Sequence, residues 1–338
     1  MKAAVTGASG HVGANLIRVL LARGDSVRAL VHRDRRALSG LPIETAMGDV
    51  RDPASLEQAF AGAEVVYHAA GYISLVSGEW SRLHAVNVVG TRNVVEACLR
   101  CGVRRLVHFS SIHAMDLNPE RAQIDESTPL VAEGGVPPYS LSKAEGEREV
   151  QEGMANGLDA VILNPTAILG PHDYAPSHQG EVLLALARRM LPALVEGGFD
   201  WVDARDVAKG ALSAAVRGTA GARYILSGHW VSVRELAKLV GSITRARVPR
   251  LVSPMWLAQM AAPLFTALAE LLGTRPLFTW VALDALSSNR HISCAKAAAA
   301  LGYSPRPLRD TLVDTLQWFT EAGWLEATEH CLHVEETG

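Results

Sequence analysis

Thr6-Gly-Ala-Ser-Gly-His-Val-Gly13 is the stretch on which the fold turns. It follows a short apolar run, Lys2-Ala-Ala-Val-Thr6, whose size suits a strand buried in a parallel sheet. After it, Val12, Leu16, Val19 and Leu20 recur at helical spacing until Gly24 stops the pattern. Gly7, Gly10 and Gly13 therefore stand where a strand turns into a helix. A side chain there would block close approach of a pyrophosphate, and the N–H groups at the helix start can bind its charge. The turn predicts a dinucleotide site built from Gly7, Ser9, Gly10, His11, Val12 and Gly13.

Working outward, apolar runs at 27–31, 65–68, 106–109 and 160–163, with a weaker one at 44–46, alternate with helical patterns at 54–61, 83–100 and 139–156. Asp52-Pro53 supplies a cap and a pre-set first turn for the helix at 54–61. This alternation predicts an α/β fold, a doubly wound parallel Rossmann sheet whose ligand lies beyond the strand C-termini. After Gly170-Pro171 the pattern loosens. Residues 1–171 are expected to form the dinucleotide-binding domain, with 199–226 returning to it. Residues 172–198 and 227–338 are expected to form a smaller, mainly helical substrate lobe. The strand-like run at 223–226 suits either the main sheet or a sheet of the lobe.

Tyr139-Ser-Leu-Ser-Lys143 lies about 130 residues beyond the glycine turn. Tyr139 and Lys143 are one helical turn apart and project from one face. A tyrosine titrates near 10, and a neighbouring ammonium favours its phenolate, so the pair suits general acid–base work beside a nicotinamide. Strand two ends at Leu30-Val-His-Arg33 with no acid before Asp34, and Arg35 and Arg36 follow. An acid there would bind a ribose 2′-hydroxyl, whereas an arginine accommodates a 2′-phosphate. The reading is NADP(H), held by Arg33 and His32, with NAD(H) as the alternative.

TGASGHVG together with YSLSK resembles the extended short-chain dehydrogenase/reductase superfamily. Further matches are Gly48-Asp49, Tyr67-His-Ala-Ala70, Asn87-Val-Val-Gly-Thr91, Phe109-Ser-Ser111, Asn164-Pro-Thr-Ala-Ile-Leu-Gly-Pro171, Asp203-Ala-Arg-Asp-Val207 and Lys296-Ala-Ala-Ala-Ala-Leu-Gly-Tyr-Ser-Pro305. Within the superfamily the chain looks most like dihydroflavonol 4-reductase-like and 3β-hydroxysteroid dehydrogenase-like proteins. The resemblance implies that Tyr139 protonates a carbonyl oxygen as hydride reaches its carbon, and that Lys143 also bonds the nicotinamide ribose. It implies that Ser111, rather than Ser110, holds the carbonyl oxygen. It places Asp49 and Val50 at the adenine, Ala69 and Ala70 under the adenosine ribose, Pro165 beside the nicotinamide and Asn87 behind the lysine. Tyr72, Ile73, His113 and Tyr174 are candidates for the substrate wall. Asp203 and Asp206 are expected to cap the helix from Val207. Pairing through the helices at 83–100 and 139–156 would give a homodimer, as in many relatives.

Three functions fit these residues. The leading one is an NADP(H)-dependent oxidoreductase reducing a ketone, or oxidising a secondary alcohol, of a bulky and largely apolar substrate. The C-terminal helices lack the arginines and lysines that two sugar-nucleotide phosphates would need. A nucleoside-diphosphate-sugar epimerase or dehydratase with tightly bound NAD is the second, and a non-catalytic NADP-binding redox sensor the third. Retention of the Tyr–Lys pair argues against the sensor.

With 338 residues and a formal charge of −3 whose signs are interspersed, the chain carries no nucleic-acid footprint. Four cysteines make no disulfide framework, and Cys98 and Cys101 read as a structural pair on a helix. His330-Cys-Leu-His333 has too few ligands for a metal site. The Met-Lys start leads straight into the first strand, which implies a cytoplasmic protein. Residues 251–269 carry no charge and have the length of a membrane span, but Pro254 and Pro263 interrupt them and Glu270 follows. A buried or substrate-covering helix pair is expected across 251–285, with peripheral membrane contact as the alternative.

Overall fold

The apolar runs form strands wherever a central position buries both faces. The computed structural model describes residues 1–74, 78–118, 120–271 and 279–326. Strands β1 (Lys2–Thr6), β2 (Ser26–Val31), β3 (Glu44–Met47), β4 (Val65–His68), β5 (Arg105–Phe109) and β6 (Ala160–Pro165) fall within two residues of the expected runs. Every residue of β4, β5 and β6 is buried. Continuous rather than alternating apolarity follows from that double burial.

Further strands are β7 (Ala167–Leu169), β8 (Leu194–Val195), β9 (Gly198–Asp203), β10 (Arg223–Leu226), β11 (His229–Ser232) and β12 (Val252–Ser253). The main sheet has seven parallel strands in the order β10-β6-β5-β4-β1-β2-β3. The order reverses beside β1, so the crevice for a ligand opens between the C-terminal ends of β1 and β4. One helical layer packs Leu16, Ile17 and Leu20 of the helix His11–Ala22 with Val207 and Ala211 of the helix Ala204–Arg217. The other packs Leu56, Phe60, Val94, Cys98 and Val150.

Residues 199–226 divide between two sheets. The helix Ala204–Arg217 and β10 return to the main sheet, whereas β9 joins a three-stranded sheet, β11-β9-β7. The later region is mainly helical, with the short strands β8, β11 and β12 between its helices. Strands of two to six residues, paired with distant segments, leave no periodic trace. Capping is as read at Asp52, whose side chain accepts from Ala54 N–H. Asp203 caps a helix that begins at Ala204 rather than Val207, and Asp206 in its first turn pairs with Arg306.

The expectation of a buried helix pair across 251–285 is corrected. The helix Met255–Leu271 buries Ala262 against Val195 and Leu283, but Trp256, Leu257, Met260 and Leu264 are exposed. No protein layer lies over that face among the described residues. None of the described helices is long and apolar enough to cross a membrane.

Candidate active site

The glycine turn has the geometry that a pyrophosphate needs. Gly7 adopts φ +66°, and a Cβ there would lie 2.5 Å from the backbone of Ala69 and Ala70. At Gly13 a Cβ would strike the Gly7 carbonyl oxygen, and at Gly10 it would come within 3.3 Å of the same atom. The following helix starts at His11 with no side-chain cap on its N–H groups. A cradle that admits only glycine, closed by an uncapped helix start, fits the dinucleotide. His11 turns its ring instead to the carbonyls of Gly170 and Pro171, at 3.0 and 3.2 Å, tying this helix to the end of β7. The Ser9 hydroxyl donates to the Asp34 carbonyl, and Val12 packs on the core.

At the adenosine end, Arg36 is paired with Asp34, and Arg51 with Asp49. Hydrogen bonding from Arg51 holds the Asp49 carboxyl at about 2, with His32 3.3 Å away. Arg33 is exposed and pairs with no acid among the described residues. Val50 is buried, with Ala69 and Ala70 above Gly7 and Pro165 closing β6.

Tyr139 and Lys143 stand on the helix Pro138–Ala155. It lies close to its neighbour because Gly146 takes a position where a Cβ would be 2.5 Å from the Asn87 carbonyl oxygen. Ser111 stands near enough to the Tyr139 hydroxyl to favour its phenolate. Ser111 sits just past β5 and its Oγ accepts from His113 N–H at 3.2 Å. Ser110 points into the protein, its hydroxyl buried and without a partner among the described residues. Lys143 Nζ donates to the Phe109 carbonyl at 2.8 Å.

Burial decides the protonation of this group. It draws Lys143 from 10.5 down to about 8, against the opposing charge of Glu147. It raises the Tyr139 phenol above 10, outweighing the effect of Ser111. The expected acidification of the phenol by Lys143 is therefore not what the protein alone produces, because desolvation of the buried phenol is the larger effect. Burial also draws His113 to about 4 and His68 to about 3, so both imidazoles are neutral at pH 7.

Three supports lie behind this group, of which Asn87 is named by the resemblance and the other two escaped sequence reading. Asn87 lies in a π-helical stretch, His84–Val89, where its amide bonds both the N–H and the carbonyl of Tyr72, at 2.7 and 2.9 Å, and Ser142 Oγ at 3.0 Å. Such bulges re-aim a side chain inward. Beneath the turn, His68 bridges Thr6 Oγ1 (2.7 Å) and Thr91 Oγ1 (3.1 Å). Thr91 donates to the Asn87 carbonyl, so His68 carries its proton on Nε2 and accepts at Nδ1. Behind the serine, Asn164 Nδ2 donates to the Ser111 carbonyl at 2.9 Å and to the fully buried Glu147, which Arg223 neutralises at 2.7 Å. The only sequence signal for this last group was the position of Glu147 one turn beyond Lys143.

Of the candidate wall residues, His113 lines a cleft. This cleft of about 310 Å³ is lined by Ile112, His113, Thr166, Phe199, Asp200 and Asn289, among others. The His113 ring meets that of Tyr139 edge-on at 6.3 Å. Asp200 accepts from Thr166 Oγ1 at 2.7 Å and Gly228 N–H at 2.6 Å, and burial raises its carboxyl. Tyr72 is held at the surface by Glu79 and by Arg82, whose guanidinium lies 4.0 Å above its ring. Ile73 is exposed. Tyr174 accepts from Arg18 at 3.1 Å and meets Trp318 edge-on, and it is not among the residues lining the cleft. The described residues hold no cluster of metal ligands, and the pair His330 and His333 lies outside them.

A doubly wound sheet with a glycine cradle at its switch point, and a Ser–Tyr–Lys group at the same edge, defines a dinucleotide-dependent enzyme of the short-chain type. The comparisons agree. Residues 3–226 match the model of the NAD dependent epimerase/dehydratase family, and this chain belongs to that family. It is 38% identical to sterol demethylase protein B of Methylococcus capsulatus, over 96% of this chain and 100% of that one. It is 34% identical to a putative dihydroflavonol 4-reductase of Synechocystis, over 95% of each chain. The crystal structure of gox2253 superposes with a TM-score of 0.84 at 35% identity, covering 96% of this chain and 99% of that one. The chain is thus an extended short-chain dehydrogenase/reductase, an enzyme of a family that uses a nicotinamide cofactor.

Proposed function

We propose that the enzyme is an NADP(H)-dependent oxidoreductase that reduces a ketone, or oxidises the matching secondary alcohol, on a bulky, largely apolar substrate. One observation carries this reading: Ser111 and Tyr139 stand together with Lys143 one turn further along the Tyr139 helix, and His113, which lines the cleft, meets the Tyr139 ring edge-on at 6.3 Å. Ser111 Oγ holds the carbonyl oxygen, and Tyr139 gives its proton to that oxygen. A phenol kept protonated by burial is in the state that reduction requires at neutral pH. When bound, the dinucleotide supplies the hydride for the carbonyl carbon. Lys143 orients the nicotinamide ribose, its Nζ anchored on Phe109. Arg33 takes the 2′-phosphate, being an exposed cation two residues past β2 that no acid claims among the described residues. Residues 1–171 with 204–226 would carry the dinucleotide, and the remainder the substrate.

The cleft argues against a sugar nucleotide. Neither Lys nor Arg lines it, and the Asp200 carboxylate would repel a diphosphate. The names of the relatives point the same way, and a 3-beta-hydroxysteroid dehydrogenase of Mycolicibacterium neoaurum is 29% identical over 94% of this chain. Consumption of NADPH and of NADH is measured against ketones of rising apolar size. Turnover that prefers NADPH supports the proposal. Absence of turnover on every ketone with NADPH binding intact would overturn it, and a preference for NADH would overturn the Arg33 assignment.

A further inference from the structure

Most polar side chains lining the cleft are committed to the protein itself. Thr166 spends its hydroxyl on Asp200, and Ser288 spends its own on the Ala285 carbonyl. Asn289 is engaged at both ends of its amide, donating to the carbonyls of Asn118 and Arg121 and accepting from His291 N–H. Asp200 is different. Thr166 Oγ1 and Gly228 N–H both bond its Oδ1, at 2.7 and 2.6 Å, and nothing among the described residues bonds Oδ2. The side chain is buried, with the residue 7% exposed, yet no arginine or lysine pairs with it among the described residues. Its two partners fix where it points. Thr166 follows β6 and Gly228 lies just past β10, at the same edge of the main sheet where Ser111 follows β5. His113, which lines the same cleft, connects that edge to the Tyr139 ring.

A buried carboxylate with one oxygen unbonded is short of the partners that water would give it. We infer that Asp200 is a specificity-determining residue, whose Oδ2 accepts a hydrogen bond from a hydroxyl group carried by the substrate. This assignment rests on the carbonyl-reduction reading and narrows its substrate to a hydroxyketone, or the matching diol. An ammonium would bring three N–H donors into a cleft whose other walls include the hydrocarbon of Ile112, Leu117, Phe199 and Ile292, whereas a hydroxyl brings one. A ketone without a donor would strip water from Oδ2 and leave it unpaired, which is the costlier kind of mismatch.

The probes are ortho-, meta- and para-(hydroxymethyl)acetophenone, each compared with its methyl ether and with the ethylacetophenone of the same shape. Calorimetry in the presence of NADP+, where no reduction follows, gives Kd, and separate assays with NADPH give turnover. For at least one ring position the wild type should bind the alcohol about 10- to 100-fold tighter than either analogue, as for a hydrogen bond to a charged group. Asp200→Asn keeps one oxygen for Thr166 and Gly228 and turns an N–H towards the cleft. That N–H donates to ether and alcohol alike, so the preference for the alcohol over the ether should vanish. Circular dichroism checks the variant's fold, and the wild-type comparison decides alone if the variant does not fold. Equal affinity within every set in the wild type, or a preference that survives in the folded variant, overturns the inference. If the alcohol is preferred while no ketone consumes NADPH, the Asp200 assignment stands and the carbonyl reading fails. If ketones are reduced with no preference for the alcohol in either assay, the Asp200 assignment fails alone.

Discussion

Replacing Lys143 by methionine should make the protein more stable at pH 7 while disabling it. Burial brings this ammonium from 10.5 to about 8, which corresponds to about 3 kcal/mol of native-state penalty at roughly 1.4 kcal/mol per pH unit. The Phe109 carbonyl loses its donor in the variant, a cost of about 1 kcal/mol. Glu147 keeps Arg223 and Asn164, so no charge is stranded. A net gain of about 2 kcal/mol follows at pH 7. Between about 8 and 10.5 the unfolded chain holds the Lys143 proton and the native chain releases it, so wild-type stability rises with pH in that window. Above 10.5 the lysine is neutral in both states, and the variant should be the less stable by about 1 kcal/mol. Urea unfolding of both proteins without dinucleotide, at pH 7 and above 10.5, measures the crossing. A variant less stable than wild type at pH 7, or a difference that ignores pH, would refute this reasoning. Turnover should fall by about 10²- to 10⁴-fold, as for loss of a group that serves acid–base chemistry.

Tyr139→Phe should abolish ketone reduction while leaving the Kd for NADPH within a few-fold, measured by nucleotide fluorescence. Ser111→Ala should cost far more turnover than Ser110→Ala, because Ser111 stands near the phenol while the Ser110 hydroxyl is buried without a partner among the described residues; the reverse order in steady-state assays would move the role to Ser110. Arg33→Asp should lower the ratio of kcat/KM for NADPH over NADH, and an unchanged ratio would remove the guanidinium from the 2′-phosphate. Arg223→Met strands Glu147 and should destabilise the protein by about 3–5 kcal/mol in denaturant titrations. Adding Glu147→Gln to that variant should recover most of the loss, since it removes the unpaired charge.

Much of this molecule could be read from its residues because its main sheet is buried on both faces. Runs such as Val65–His68 and Ala160–Pro165 have no polar side to confuse with a helix, and Gly7 and Gly13 stand where backbone approaches backbone. The Tyr139 and Lys143 pair was legible because four residues make a helical turn. What stayed hidden depends on partners far away in sequence. Glu147 meets Arg223 across 76 positions, and nothing local marks that carboxylate as fully buried. The π-helical stretch around Asn87 has no periodic signature. Acidification of Tyr139 was expected from charge proximity alone, and desolvation proved the larger effect. For the helix Met255–Leu271, apolar composition suits a buried or a substrate-covering helix alike, because composition does not say what covers a face.

Asn164 and Thr166 lie two positions apart on one stretch of chain, yet they serve different sheets. Asn164 grips the Ser111 carbonyl, and Thr166 grips Asp200 on the substrate side. This short seam makes the floor of the guest's chamber and the anchor of the serine mechanically continuous.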